Sequence, residues 1–567
     1  MNGRRQHFAA AIARTACVGG SVLLGMRLGA GGGAHPLREA KAQRVGHPGW
    51  LWGAVCSVRP YFAAIAFLGL VLMAAGCGGG GSSSPGPGPI PTPPAKFSNA
   101  SLSGQYAFSM NGTEDCSGQG SFFTRAGSFT ADGAGRITTG LEDTNTCTGV
   151  DTLDFTGGSY SIGDDGRGSL SLINSSGTTT YSIVLSTGTQ GAIIQTDTGA
   201  TASGTFQRQT TSAFSNAAIQ GGYVFDVKGI DVMGTTVSPV SIIGRFDANG
   251  GGVTNGLFDS NVAGVLSGQQ ILPAGAFYAV DPNSDGTNFG RGTASLAGDT
   301  YVFYVVDSTH IKLLGVDFPS ALAGEAFAQS GIAFNVGSLT GSYALLLGGS
   351  STSGTIATAG RFTADGGGNI TNVLLDENNS GGITQLPNGA VTGTYAVDSN
   401  QFGGGSLTIA DTTSGTFTFI FYLISPTQAV FQETDSTITS DGTFAAQSTS
   451  TITTASLAGD YAFGWSGTAT AEQDFAGALT LASGTGNFTG LVDLNDFATG
   501  KQTFDASVTG NLVLAGDGTG ANTLTSNIGT TPAATLKFTS YVVDLNTLLV
   551  VGIDTDRVIA GTVIRQP

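Results

Sequence analysis

One short motif recurs four times and sets what this chain can fold into. It reads Leu102-Ser-Gly104-Gln-Tyr106-Ala-Phe108, then Ile219-Gln-Gly221-Gly-Tyr223-Val-Phe225, Leu339-Thr-Gly341-Ser-Tyr343-Ala-Leu345 and Leu457-Ala-Gly459-Asp-Tyr461-Ala-Phe463. Tyr106, Tyr223, Tyr343 and Tyr461 stand 117, 120 and 118 residues apart. The units also close alike, on Gly204-Thr-Phe206-Gln-Arg-Gln209, Gly324-Glu-Ala-Phe327-Ala-Gln329, Gly442-Thr-Phe444-Ala-Ala-Gln447 and Gly561-Thr-Val563-Ile-Arg-Gln566. A repeat of this length is a whole domain rather than a solenoid turn. Four units are therefore predicted, over residues 97–209, 214–329, 334–447 and 455–567.

Within a unit, alternation and turn residues predict about eight strands, beginning in the first near Leu102, Ser121, Arg136, Leu153, Gly168, Thr178, Gly191 and Ser203. Breaks such as Ala131-Asp-Gly-Ala-Gly135 supply the left-handed backbone that tight hairpins need, which accounts for much of the chain's 90 glycines. The class is all-β: four tandem antiparallel eight-stranded meanders, each closing into a small barrel, with a β-sandwich as the alternative. Tyr106, Phe108 and Met110 share one face, whereas the intervening positions are expected to face water. The sixth strands, Tyr301-Val-Phe-Tyr-Val-Val306 and Phe417-Thr-Phe-Ile-Phe-Tyr-Leu-Ile424, are apolar on both faces. Their outer face is expected to pack on a neighbouring repeat or on a second copy of the chain. In strand count and order each unit resembles the avidin and lipocalin type of small barrel.

The first 76 residues differ from the rest. Up to Cys77 there are eight Lys or Arg and one acid, which leaves 14 bases against 38 acids beyond it, a net of −24. So acidic a body repels phosphate backbones, and no nucleic-acid partner is expected. Arg59 is followed by an apolar stretch ending in Ala74-Ala75-Gly76-Cys77, too short to span a bilayer as a helix. This resembles a bacterial lipoprotein signal. The resemblance implies that residues 1–76 are leader and signal peptide, that the Cys77 thiol is acylated, and that the body is anchored to the membrane. Gly78, where aspartate would resemble an inner-membrane retention signal, implies the outer membrane. Residues 1–57 do not fit the front of such a signal, so translation is expected to start near Val58. Residues 77–96, rich in Gly, Ser and Pro, read as a tether between lipid and body.

Two cysteines remain, Cys116 and Cys147, in loops that open at the same end of a meander. They predict a disulfide in an oxidising envelope, with two free buried thiols as the alternative. Asp-x-Asn recurs after the third strand of every unit, as Asp143/Asn145, Asp259/Asn261, Asp376/Asn378 and Asp493/Asn495. These eight residues are candidate ligand-loop contacts; Asx turns explain them more cheaply. Asp281, Asn283 and Asp285 begin like a calcium loop, but residue 292, where a bidentate glutamate belongs, is Gly, so a polar hairpin is the better reading. His310 is the only histidine after the leader and reads as a surface-turn residue, and Trp465 reads as core packing. One imidazole cannot furnish a repeated catalytic site, and no cofactor motif is present. The leading expectation is a non-enzymatic outer-membrane lipoprotein with a structural, adhesion or surface-interaction role toward an unknown extracellular or envelope partner. Small-molecule or glycan binding in the barrel ends is the alternative, and a secreted hydrolase comes third.

Overall fold

The computed structural model describes residues 96–567, apart from 283–287, 332, 387–390, 412–414, 517–518 and 527–533. The predicted leader, Cys77 and nearly all of the tether therefore lie outside the described residues, as do Asn283 and Asp285.

The fold is all-β and built from antiparallel barrels. In the first repeat the strands are β1 (Ser103–Cys116), β2 (Gln119–Asp132), β3 (Arg136–Thr146), β4 (Gly149–Phe155), β5 (Gly157–Ile162), β6 (Arg167–Asn174), β7 (Gly177–Thr187), β8 (Gln190–Gln195) and β9 (Ala200–Arg208). Each pairs with the next in sequence, except that β4 and β5 both lie along β3. β9 returns to β1, closing the sheet. Together β4 and β5 occupy the place of one predicted strand, interrupted at Thr156. In the fourth repeat the equivalent strand, Lys501–Leu514, is continuous, and the barrel closes with eight strands.

The second repeat departs from closure. After Val265–Ile271, the amide of Leu272 makes a last bond to the Gly256 carbonyl, and the next residue is Pro273, which has no N–H to continue the ladder. Phe277–Val280 then pairs only with Arg291–Leu296, so this barrel stays open along one seam. The strand Val265–Ile271 is solvent-exposed over its whole length.

Aromatic residues fill the barrel interiors. Tyr106 stacks on Phe129 at 5.6 Å between ring centres and meets Phe206 edge-on at 5.9 Å. Tyr223 with Phe246, and Tyr343 with Phe362, repeat the stacked pair. Four separate apolar clusters result, one inside each barrel.

Where repeats meet, the outer walls are buried too, contrary to the expectation that they face water; away from the joints, as on β5, the outward positions are solvent-exposed as expected. Ala107 and Ala126 of the first repeat pack against Val302, Tyr304, Val306 and Leu314 of the second. Val224 and Ile243 meet Tyr422, Ile424 and Val430 of the third. Ala344, Ala357 and Ala359 meet Tyr541, Val543, Leu549 and Val551 of the fourth. Ala462, Ala476 and Ala478 of the fourth then meet Val184 and Ile194 of the first. The wall made by the first two strands of each barrel thus lies on the last strands of the next, and the fourth barrel closes on the first. Alanines on one wall admit large side chains from the other. The four repeats form a closed ring, and the doubly apolar sixth strands are spent on neighbouring repeats.

Candidate functional site

The recurrent Asp-x-Asn pairs lie on strands, not in open loops, and all eight side chains are buried. Each asparagine caps backbone carbonyls of the following barrel. Asn145 Nδ2 donates to the carbonyls of Gly315 and Ser320 at 2.9 and 2.7 Å, and Asn261 to those of Glu433 and Ile438 at 3.0 and 2.8 Å. Asn378 reaches Gly552, Asp554 and Arg557, and Asn495 crosses back to Gln195 and Ala200 of the first barrel.

The aspartates take a tyrosine hydroxyl from that same next barrel. Tyr304 donates to Asp143 and Tyr422 to Asp259, both at 2.6 Å, and Tyr541 donates to Asp376. Burial, then the facing carboxylate, holds the Tyr304 and Tyr422 hydroxyls far above the usual phenol range. Burial likewise raises the Asp259 carboxyl, although the Tyr422 hydroxyl and the Gln269 amide offset part of the effect. The first barrel carries Val184 at the tyrosine position, and there Arg167 bonds Asp493 instead. Its counterpart Arg291 forks onto Asp143 through Nε and Nη2, each at 2.9 Å.

A third set of joint residues had no assigned role from sequence: the closing glutamines. Gln209 Nε2 donates to the carbonyls of Phe289 and Val305, Gln329 to Phe402 and Leu423, Gln447 to Val542, and Gln566 to Asp165 and Leu185. Their recurrence was visible in the closing motif. Where they point was not, because each partner sits in another repeat.

Cys116 and Cys147 form a disulfide, with Cα atoms 6.3 Å apart, tying the β1–β2 hairpin to the end of β3. Asp281 pairs with Arg291 at 2.6 Å, and the described residues hold no cluster of three or more His, Cys, Asp or Glu arranged for a metal. His310 is buried rather than a surface-turn residue. It opens the strand His310–Gly315, stacks on Phe327 at 4.7 Å and lies 3.0 Å from Glu325. Trp465 is in the fourth barrel's core, stacked on Phe463, and its Nε1 has no hydrogen-bond partner among the described residues. Beside it is an apolar cavity of about 50 Å³, room for little more than a water.

A larger cavity, about 300 Å³, lies where the four barrels converge. Matching positions of the second strands line it: Phe122, Pro239, Thr355 and Glu472. Lys228 and Asp441, 2.8 Å apart, and Ser241 add polar groups. The polar residues that recur in every repeat are thus concentrated at the joints, whereas non-recurrent ones also lie inside the barrels, as where Arg125 bonds Glu142 at 2.9 Å beside the core residue Tyr181.

No protein-family model and no curated protein matches the sequence. Among solved structures, isotype 1 transferrin binding protein B from serogroup B Neisseria meningitidis is 7% identical, with a TM-score of 0.19 over 66% of this chain and 84% of that one. A double mutant of transferrin binding protein B from Haemophilus parasuis is 11% identical, with a TM-score of 0.17 over 66% of this chain and 82% of that one. The intact Ap-TbpB, with N and C lobes, is 10% identical at a TM-score of 0.15, with the same coverage.

Proposed function

We propose that the chain is a non-enzymatic lipoprotein of the bacterial outer membrane, acylated at Cys77. Its four-barrel ring is a rigid structural and surface-interaction module held off the membrane by the tether. One observation carries this reading: the polar residues that recur in every repeat are spent on holding the ring together. Asp143, Asn145, Gln209 and their counterparts bond neighbouring barrels; the four aspartates and four asparagines are buried, as are Gln209 and Gln566, and Gln329 and Gln447 are partly buried. A repeated ligand site would instead leave shared polar groups facing a cleft. Close-packed aromatic interiors likewise leave the barrel ends little room for a glycan.

The axial cavity favours a second reading, binding of one small polar molecule at the junction of the barrels. A thermal-shift screen on the delipidated body separates the two. The structural reading expects no small molecule to stabilise it, and a rise of several degrees with one compound overturns that reading. Palmitate labelling tests the anchor: it is expected to vanish in Cys77→Ala, and labelling that persists removes Cys77 as the acylated residue.

A further inference from the structure

The joint between the fourth and first barrels differs from the others in connection, and from the first two in charge. The other three join barrels consecutive in the chain. This one brings together the two ends of the described chain, with β7, β8 and β9 of the first barrel packed on Gly459–Thr468 and Glu472–Leu481 of the fourth.

Its buried carboxyl pair, Asp474 and Glu472, has no cation bonded to it, although Arg167 crosses the same joint to Asp493. The joint of barrels one and two buries Lys312 against Glu325, and that of barrels two and three sets Lys228 on Asp441. In the fourth joint the fully buried Asp474 accepts from Thr201 Oγ1 at 2.7 Å with the Ser203 hydroxyl beside it, and Glu472 accepts from the Thr113 hydroxyl. Among the described residues no cation is bonded to the pair; Lys228 lines the same cavity as Glu472 but is set on Asp441 at 2.8 Å. Thr201 and Ser203 face them from β9, and Glu114 is another acid on β1. On the neighbouring strand Asn487–Asp496, Asp493 is bonded by Arg167 and Asp496 by Gln473. Arg167, on β6, is divided among Asp165, Asp493 and Asp505. Arg208, at the far end of β9, pairs across to Tyr106, and Lys501 is set opposite Asp496.

We propose that closure of the ring is gated by protons: the fourth joint is shut while Asp474 and Glu472 are protonated, and loosens when both release their protons to water. Two carboxylates two residues apart on one strand face share a wall and repel each other once ionised. Glu472 also lines the axial cavity, which gives the pair a route to solvent. Burial pushes the Asp474 carboxyl up to about 7, and burial together with Asp474 raises that of Glu472. The shut joint therefore holds more protons than the open one between the ordinary carboxylate range and about pH 7. Closure weakens as pH rises through that window.

Hydrogen exchange on the whole disulfide-bonded protein tests this at pH 5.5 and 8.5, after correction for intrinsic exchange rates. Protection of β8, β9 and residues 472–481 is expected to fall at least tenfold at pH 8.5, relative to the joint of barrels one and two. Asp474→Asn with Glu472→Gln is expected to keep the acid-level protection at both pH values. The single variant Glu472→Gln, at a partly exposed position, is expected to remove about half of the change. Equal wild-type protection at both pH values overturns the proposal. So does a pH dependence that survives unchanged in the variants, or full restoration of protection at pH 8.5 by added Ca²⁺.

Discussion

The side-chain nitrogen of Gln566 lies 2.7 Å from the carbonyl oxygen of Leu185, 381 positions earlier in the chain. The same nitrogen donates to Asp165 at 2.8 Å. Gln209 makes the equivalent pair of bonds to Val305 and Phe289, across a joint whose two barrels are consecutive in sequence. One hydrogen-bond pattern thus serves connected and unconnected joints alike, which is what makes the array a ring rather than a string.

That equivalence predicts an inequality. Gln566→Ala leaves two buried carbonyls without a donor, a cost of about 1–3 kcal/mol. Gln209→Ala removes the same bonds, but barrels one and two stay adjacent through their short connector, at a high effective concentration. Exchange protection of β7 and β8 is expected to drop in Gln566→Ala well below the protection that Gln209→Ala leaves at its own joint. Equal losses at the two joints would mean the ring is held by its walls alone.

Asp143 is the most heavily bonded of the four joint aspartates, taking both arms of Arg291 and the Tyr304 hydroxyl while fully buried. Asp143→Ala leaves Arg291 with Asp281 as its remaining carboxylate and the Tyr304 phenol without its acceptor, and is expected to cost about 3 kcal/mol, the lower end of the range for breaking a buried ion pair. Asp376→Ala loses the Tyr541 hydroxyl and the Gln385 amide but no cation, so its cost is expected to be about 1–3 kcal/mol. Urea denaturation of the two variants checks the order, and Asp376→Ala proving the more harmful would contradict it.

How far the sequence carries can be read from these same residues. Tyr106, Phe108 and Met110 show their shared face through spacing alone, and strands were expected within four residues of where they begin. Tyr301–Val306 announced an outer contact by being apolar on both faces. Asp143 was read as an Asx turn because a single sequence shows only local geometry, whereas the partner that explains it, Tyr304, is 161 residues away. His310 looked like a turn residue for the same reason: Phe327 and Glu325, which bury it, come from the next strand. Periodicity reveals that Gln209 recurs, not that it reaches into another barrel. Ring closure needs the last repeat to meet the first, and the sequence carries no local mark of that meeting.

The Cys116–Cys147 disulfide closes a loop over a separation of 31 residues. In the chain-entropy model such a loop contributes about 3–4 kcal/mol. Reduction is expected to lower the stability of the first barrel by that order. The loss should appear as faster exchange at the β1–β2 tip and the end of β3. Alkylation of both thiols in protein that was never reduced would show the bond to be absent.

Lys312 tests whether the first joint depends on its charge. Its side chain is fully buried, with Nζ 2.6 Å from Glu325, 2.8 Å from Thr205 and 3.3 Å from Ser109. Burial alone would raise the Glu325 carboxyl, but Lys312 and then His310 hold it well below its ordinary value of 4.5. A depressed carboxyl contributes stability that is fully present above its unfolded pKa and is lost as pH falls below it. The wild type is therefore expected to lose stability on acidification below about pH 5. In Lys312→Met the carboxylate has lost its main partner. The variant is expected to be about 3–5 kcal/mol less stable near pH 7, and to recover part of the deficit as acid neutralises Glu325. Adding Glu325→Gln should restore most of the loss at neutral pH, because no uncompensated charge remains. Urea titrations between pH 3 and 8 measure all three proteins. Parallel pH profiles for wild type and Lys312→Met would show that Lys312 serves the joint by packing and not by charge.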